Sequence, residues 1–486
     1  MKKSVLTLLT AALLSSVSIP ALAQEEPMMT ADQMRAQATK AMKDLLPQDR
    51  TNTIFIKALM DTYENNPTLK AARAETRAVF ERLPQVEAGW RPTVTAKANV
   101  TENSTSVDVK TTGFAAGDDD TYLSRAASLN LEQPLYRGGR TVADTETARN
   151  VIRAKIAALE QVEQQVLLQA VTAYLDVLQN EALLKLATNN RSVIGRQFDA
   201  TKKRYDVGEL TRTDVAQAEA RQARADSDII SAQANLRSAR AEFERVIGYP
   251  PEKLGFPMTV LDVPQTLESA TAYAEEWNPS VRAAQYSQRA ASSDVTSQYG
   301  NLLPQVALSG DLTKAYEPSS TVDESEGAAI GVVASFPLYE AGATRSRVRQ
   351  AKKTAMQRMD QISEAKRLAR QQTITAWEAL QAAHGQVSSR LSQVEASEVA
   401  RFGVKQEADL GARTILDTLD ADQEVLDGQV ALVIATRNEV VATYSLASAL
   451  GVLTPKTLGF GDKVPDYNRE VEEVRGNLFG TGVDSQ

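Results

Sequence analysis

The chain is written twice. Residues 65–72 (NNPTLKAA) return as 277–284 (WNPSVRAA), and 90–94 (WRPTV) as 302–306 (LLPQV), both shifted by 212 residues. Farther on, PLYRGGR (134–140) returns as PLYEAGAT (337–344), and GELTRTD (208–214) as GARTILD (411–417), both shifted by 203. Ile247-Gly248 and Leu450-Gly451 close the two copies at the same offset. A repeat of this length is far longer than the unit of a solenoid or propeller. The chain must fold as two similar halves, and the change of offset places their main difference between Pro92 and Pro134.

Within each half the pattern predicts a short helix, a strand pair and a very long helical tract. Asn66-Pro67 and Asn278-Pro279 suit an N-cap followed by proline at the first helical position. After Pro92 apolar residues alternate, through Val94, Ala96, Ala98 and Val100 and then Leu123, Ala127, Leu129 and Leu131. The second half offers Val306, Leu308 and Leu312, then Ile330, Val332, Ala334 and Phe336. Residues 114–120 (FAAGDDD) and 316–327 (YEPSSTVDESEG) read as acidic loops joining these strands.

No proline interrupts the 115 residues after Pro134 or the 117 after Pro337. A seam of 3.5-residue period runs through Ile152, Leu159, Val166, Ala173, Ile194 and Tyr205, broken at Glu163, Asn180, Arg191 and Thr201. One helix from about 140 to 207 would measure roughly 100 Å. Gly208 then supplies a left-handed helix end, Thr211 an N-cap, and Asp214 a first-turn acid. Gly411, Thr414 and Asp417 repeat the device, so each GxxTxxD is the tip of a helical hairpin.

Residues 1–23 combine Lys2 and Lys3, an apolar core and Ala21-Leu22-Ala23, the pattern of a signal peptide cleaved after Ala23. The formal charge of -8 becomes -10 without those lysines, which argues against nucleic acid as a partner. Cysteine is absent, and His384 is the one histidine. No metal-ligand cluster, catalytic constellation or cofactor fingerprint is readable, so the chain is not expected to be an enzyme. The expected division is signal peptide 1–23, extension 24–50, repeat units 51–258 and 259–458, and a polar, mobile tail 459–486.

Four amphipathic strands cannot close a barrel, and an open edge is not tolerated in lipid. Three copies supply twelve strands, an even number wide enough for a pore, which predicts a homotrimer. Tyr136, Phe336 and Tyr339 at strand ends suit an aromatic belt, while Trp90, Trp277 and Trp377 read as core or helix-interface residues. A secreted coiled-coil filament or adhesin is the alternative. It explains the heptads but not the strand pairs returning at fixed offsets.

The NPxLxAA box, the PLYxxG strand ends, VGELTRTD and LGARTILDTLDA together resemble the TolC-like outer-membrane factors of bacterial efflux pumps and type I secretion systems, over about residues 50–455. The resemblance implies a mainly α protein with a small β part. Its long coiled-coil-like helices would form a trimeric periplasmic α-barrel continuous with a 12-stranded transmembrane β-barrel, four strands per protomer. It also implies a gated exit duct in outer-membrane lipid for drugs, toxic compounds or proteins. The implied partners are a periplasmic adaptor (membrane fusion) protein and an inner-membrane transporter of RND or ABC type.

By the same resemblance Asp417 and Asp420 match the constriction at the periplasmic entrance. Their spacing puts both carboxylates on one helix face. Arg413 matches a latch whose partners are Thr213 and Asp214 on the neighbouring hairpin. Val207, Gly208, Glu209 and Leu210, with Leu410, Gly411 and Ala412, match the adaptor-docking tips. Where the best-known members place a tyrosine three residues before the second tip glycine, this chain has Ala408.

Overall fold

The computed structural model describes residues 48–49, 52–107, 118–257, 264–476 and 480–482. The expected signal peptide lies outside them, as does the extension except for Gln48–Asp49 (β1), which pairs in parallel with Phe256–Pro257 (β4). The first half runs α1 (Thr53–Asn65), α2 (Pro67–Phe80), α3 (Arg82–Glu87), β2 (Thr93–Val107), β3 (Asp118–Arg137), α4 (Arg140–Asp206) and α5 (Arg212–Ile247). The second runs α6 (Leu267–Trp277), α7 (Pro279–Gly300), β5 (Gln305–Ser319), β6 (Val322–Ser335), α8 (Ala343–Asp409) and α9 (Ile415–Leu450). Both long helices have 67 residues and both return helices 36, so the duplication holds at the level of element length.

The difference in length dictates the packing. A 67-residue helix is roughly 100 Å long and its return helix roughly half that, so α5 covers only the tip-ward half of α4. Arg240–Glu181 at 2.9 Å and the Arg191–Asp226 pair mark that contact. The other half of α4 lies along α7, where Arg282 meets Glu160 at 2.7 Å and Ser297 meets Asp144. Helix α8 repeats this with α9 and α7.

The largest core sits where these halves meet. Phe55, Tyr63, Leu69, Leu167, Val171, Tyr174, Phe243, Ile247, Tyr444 and Phe460 form one buried cluster. Asn66 and Asn278 cap α2 and α7 through their side-chain oxygens, as expected, and their amide nitrogens do something further. Asn66 Nδ2 donates to the Val246 carbonyl at 2.9 Å, and Asn278 Nδ2 to the Ala449 carbonyl at 2.8 Å. Each asparagine therefore satisfies an N-terminal amide of one helix and a C-terminal carbonyl of another, groups that no intrahelical partner can reach.

The heptad seam survives its interruptions. Ile152, Leu159, Val166, Ala173 and Ile194 are buried, and so is Glu163, which reads as a break in the pattern. Glu163 accepts from Tyr63 Oη at 3.1 Å and faces Arg73 at 3.9 Å. Burial pushes its carboxyl up to about 7, against the opposing pull of Arg73. Tyr205, at the end of the seam, is exposed.

Three expectations are corrected. The acidic stretch 316–327 is strand apart from a turn at Ser320 and Thr321, because Glu324 and Glu326 both pair with Lys314 and the ladder runs on to Ser319 opposite Val322. In the matching stretch of the first half, Asp118–Asp120 already belong to β3, and residues 114–117 lie outside the described residues. The expected mobile tail instead folds in part as α10 (Tyr467–Gly476), because it carries its own apolar stripe. Tyr467, Val471 and Val474 pack on Phe80, Leu83 and Ile152, while Arg77 forks onto Glu470 at 2.9 and 3.1 Å. Trp90 and Trp277 are half exposed rather than core; Trp377 does pack against the cluster of Ala270, Ala274, Leu446 and Leu450.

Candidate functional site

The four long strands form one antiparallel sheet in the order β2-β3-β5-β6, leaving β2 and β6 as edges. Residues directly opposite one another share a face, and alternate residues change face. The register sets Val94, Leu131, Gly310 and Ile330 in one row and Ala96, Leu129, Leu312 and Ala328 in the next. Toward the hairpin turns the same face ends in Arg125, Lys314, Glu324 and Glu326.

The opposite face carries Thr95, Asn130, Asp311 and Ala329, then Lys97, Ser128, Thr313 and Gly327. Asn130 donates to Asp311 across it. The apolar face is uncovered in the single chain: Val94, Leu312, Ile330 and Val332 are all more than half exposed, Ile330 at 78%. An exposed apolar face backed by a polar one, charged at its rim, is the pattern of a sheet between lipid and a water-filled lumen. No helix among the described residues is long and apolar enough to cross a membrane.

At the far end of the long helices lie the two tips. Gly208 (φ 84°) and Gly411 (φ 78°) adopt the left-handed conformation that ends each long helix. Thr211 and Thr414 then form full capping boxes: each accepts from the amide of Asp214 or Asp417 at 3.3 Å, and each aspartate accepts from the threonine amide at 2.9 Å and hydroxyl at 2.7 Å. Those hydrogen bonds hold both carboxyls below the usual aspartate range, so Asp417 is a fixed negative charge near neutral pH.

Asp417 and Asp420 both sit in the opening turns of α9, as the spacing requires. They have different partners. Asp420 Oδ1 meets Arg221 Nη2 of α5 at 2.5 Å, and one step away Gln197 Nε2 donates to Thr418 Oγ1 at 3.3 Å, so these contacts join the two hairpins. Arg413 pairs within its own tip, with Glu407 at 2.7 Å, while Thr211 engages Asp214. Thr213 and Ala412 are exposed, Glu209 is held by Arg204 at 3.0 Å, and Leu210 is half-buried. Val207 and Leu410 stand 72% and 86% exposed at the two apices. His384 is exposed and bonds Glu439 at 2.8 Å.

Sequence reasoning placed the caps, tips and aspartates but missed Arg221, because an arginine on a charged helix face carries no local signal. The missed α10 left one: Tyr467, Val471 and Val474 are spaced four and three residues apart, an apolar stripe of helical period in the tail.

A sheet with one apolar and one polar face, carried on helical hairpins of roughly 100 Å, is the architecture of an outer-membrane channel protein. Residues 58–249 and 272–452 match the outer membrane efflux protein family, and the chain belongs to that family. It is 32% identical to the outer membrane efflux protein BepC of Brucella suis, over 87% of this chain and 91% of that protein. It is 25% identical to the outer membrane protein TolC of Escherichia coli, over 82% and 83%. Its fold is similar to the crystal structure of the Campylobacter jejuni CmeC outer membrane channel, with a TM-score of 0.73 at 16% identity, covering 96% and 98%. The protein is thus an outer-membrane efflux channel of a Gram-negative bacterium, with a large periplasmic portion.

Proposed function

We propose that three copies close a 12-stranded barrel in the outer membrane and a periplasmic tunnel beneath it, forming the passive exit duct of a tripartite efflux pump or type I secretion system. The observation that carries this reading is the pair of open edges. Among the described residues β2 and β6 lack outer neighbours, β6 is exposed along its length, and α8 below it buries only a narrow stripe including Val348, Ala351, Ala369 and Thr373. Lipid does not tolerate such an edge, and the edge of a second copy supplies what it lacks.

In this reading units 51–258 and 259–458 are the quasi-equivalent halves of each protomer. Asp417 and Asp420 from three copies converge on the axis at the periplasmic entrance. Two carboxylates ~5 Å apart repel by about 3 kcal/mol at an effective dielectric near 20, so the ring would draw in cations. Arg413 latches the closed state by exchanging Glu407 for Thr213 and Asp214, a surface ion pair that breaks without unpacking a core. Ala408 leaves the closed state without a tyrosine at that position. The tips at 207–210 and 410–412 receive the periplasmic adaptor, which links the duct to an inner-membrane transporter of RND or ABC type. The duct itself performs no chemistry.

Single-channel recording in planar bilayers tests the constriction. Changing Asp417→Asn together with Asp420→Asn should weaken block by a trivalent cation at least tenfold and lower the cation-to-anion permeability ratio. Unchanged block and selectivity would place the constriction elsewhere.

A further inference from the structure

The two aspartates of the entrance are electrically unlike. Asp417 is hydrogen-bonded by neutral donors, the hydroxyl and amide of Thr414, while Arg413, itself paired with Glu407, acts on it only through space. Asp420 is bound by a guanidinium, with Arg221 Nη2 at 2.5 Å from Oδ1. The arginine is the better sheltered partner, 27% exposed against 58% for the aspartate. Arg221 stands two turns beyond the Asp214 cap of α5, on the first hairpin, whereas Asp420 belongs to the second. The Gln197–Thr418 hydrogen bond beside it fixes the same two hairpins at the same level.

A charge paired at hydrogen-bond distance acts on a distant ion as a dipole, whose field falls off faster than that of a lone charge, and salt screens the remainder. Arg221 thereby sets how much of the acidic ring an ion in the entrance feels. We infer that Arg221 is a selectivity-determining residue of the entrance. By pairing with Asp420 it leaves Asp417 as the principal exposed charge of each copy, and it ties the two hairpins together at the depth of the constriction. This inference rests on the placement of Asp417 and Asp420 at the pore axis. The unlike partners of the two aspartates are what carry it.

The residue type matters to the geometry. Arginine presents a planar fork of donors on a rigid guanidinium. Lysine would preserve the charge while giving up the fork. Glutamine would preserve much of the length and some hydrogen bonding while removing the charge. That series separates neutralisation of Asp420 from simple filling of space.

Block of the reconstituted channel by lanthanum ions, together with its potassium-to-chloride permeability ratio, tests the inference. Arg221→Gln should tighten lanthanum block about tenfold and raise the permeability ratio, because one further carboxylate per copy is released. Arg221→Lys should stay close to the unmodified protein. Adding Asp420→Asn to Arg221→Gln should abolish the gain. Unchanged or weaker block in Arg221→Gln, or a gain that persists without the Asp420 carboxylate, overturns the role of Arg221. If Asp417→Asn with Asp420→Asn weakens block while Arg221→Gln leaves it unchanged, only this inference falls. If the double aspartate change has no effect, the constriction itself is misplaced.

Discussion

Asn66 donates from Nδ2 to the carbonyl of Val246, 180 residues away, while its Oδ1 caps the first turn of α2. Asn278 and Ala449 repeat the relationship in the second half. One side chain thus ties the start of the upper helix to the end of the return helix in each copy, at the level of the largest core. Asn66→Ala removes an N-cap and leaves a buried carbonyl without its donor, an expected loss of about 2–3 kcal/mol. Asn66→Ser keeps a capping oxygen and should recover about 1 kcal/mol of it. Thermal melts of the detergent-solubilised protein measure both; equal melting temperatures for the two variants would mean that the cap contributes nothing.

Glu163 gives the fold a pH dependence of definite sign. Its carboxyl is raised to about 7 by burial, above the ordinary value of a carboxylic acid in an unfolded chain. The folded state therefore binds the proton more tightly, and this contribution to stability, complete at low pH, is lost as pH rises through about 7. Glu163→Gln cannot ionise and removes the dependence. Between about pH 5 and about pH 8 the melting temperature of the variant should gain on that of the unmodified protein. A constant difference across the range would show that Glu163 is already ionised in the folded state at the lower pH.

The two faces of the sheet should respond oppositely to one substitution. Ile330→Arg puts a guanidinium on the apolar face, at an expected cost of about 2–4 kcal/mol near the middle of the bilayer. Thr313→Arg puts it on the polar face, where water solvates it. Outer-membrane levels and heat resistance of the assembled protein should fall in the first variant and persist in the second. The reverse order would invert the assignment of lipid and lumen.

What was readable in the sequence follows from the range of the interactions involved. The helical hairpin tips depend on Gly208, Thr211 and Asp214 within seven residues, so their glycine end and capping box could be written down in advance. The strands and the duplication were visible because alternation and repetition need no partner. Asn66–Val246, Glu163 with Tyr63 and Arg73, and Arg221–Asp420 were not readable, because each joins residues far apart in the chain and each partner looks ordinary alone. Polarity misled twice in the same way. Residues 316–327 looked like a loop and 459–486 like a loose tail, yet Lys314 holds one acidic run in a ladder and Arg77 helps hold the other as a helix.

In the proposed assembly other copies complete the wall at the β2 and β6 edges, and the molecular mass of the protein extracted from outer membranes tests that proposal most directly. Light scattering in mild detergent, corrected for bound detergent, should give three protomers as a single species, and a cysteine pair engineered across the β2 and β6 edges of adjacent copies should crosslink no further than that. A stable, monodisperse species of one protomer would contradict the shared barrel.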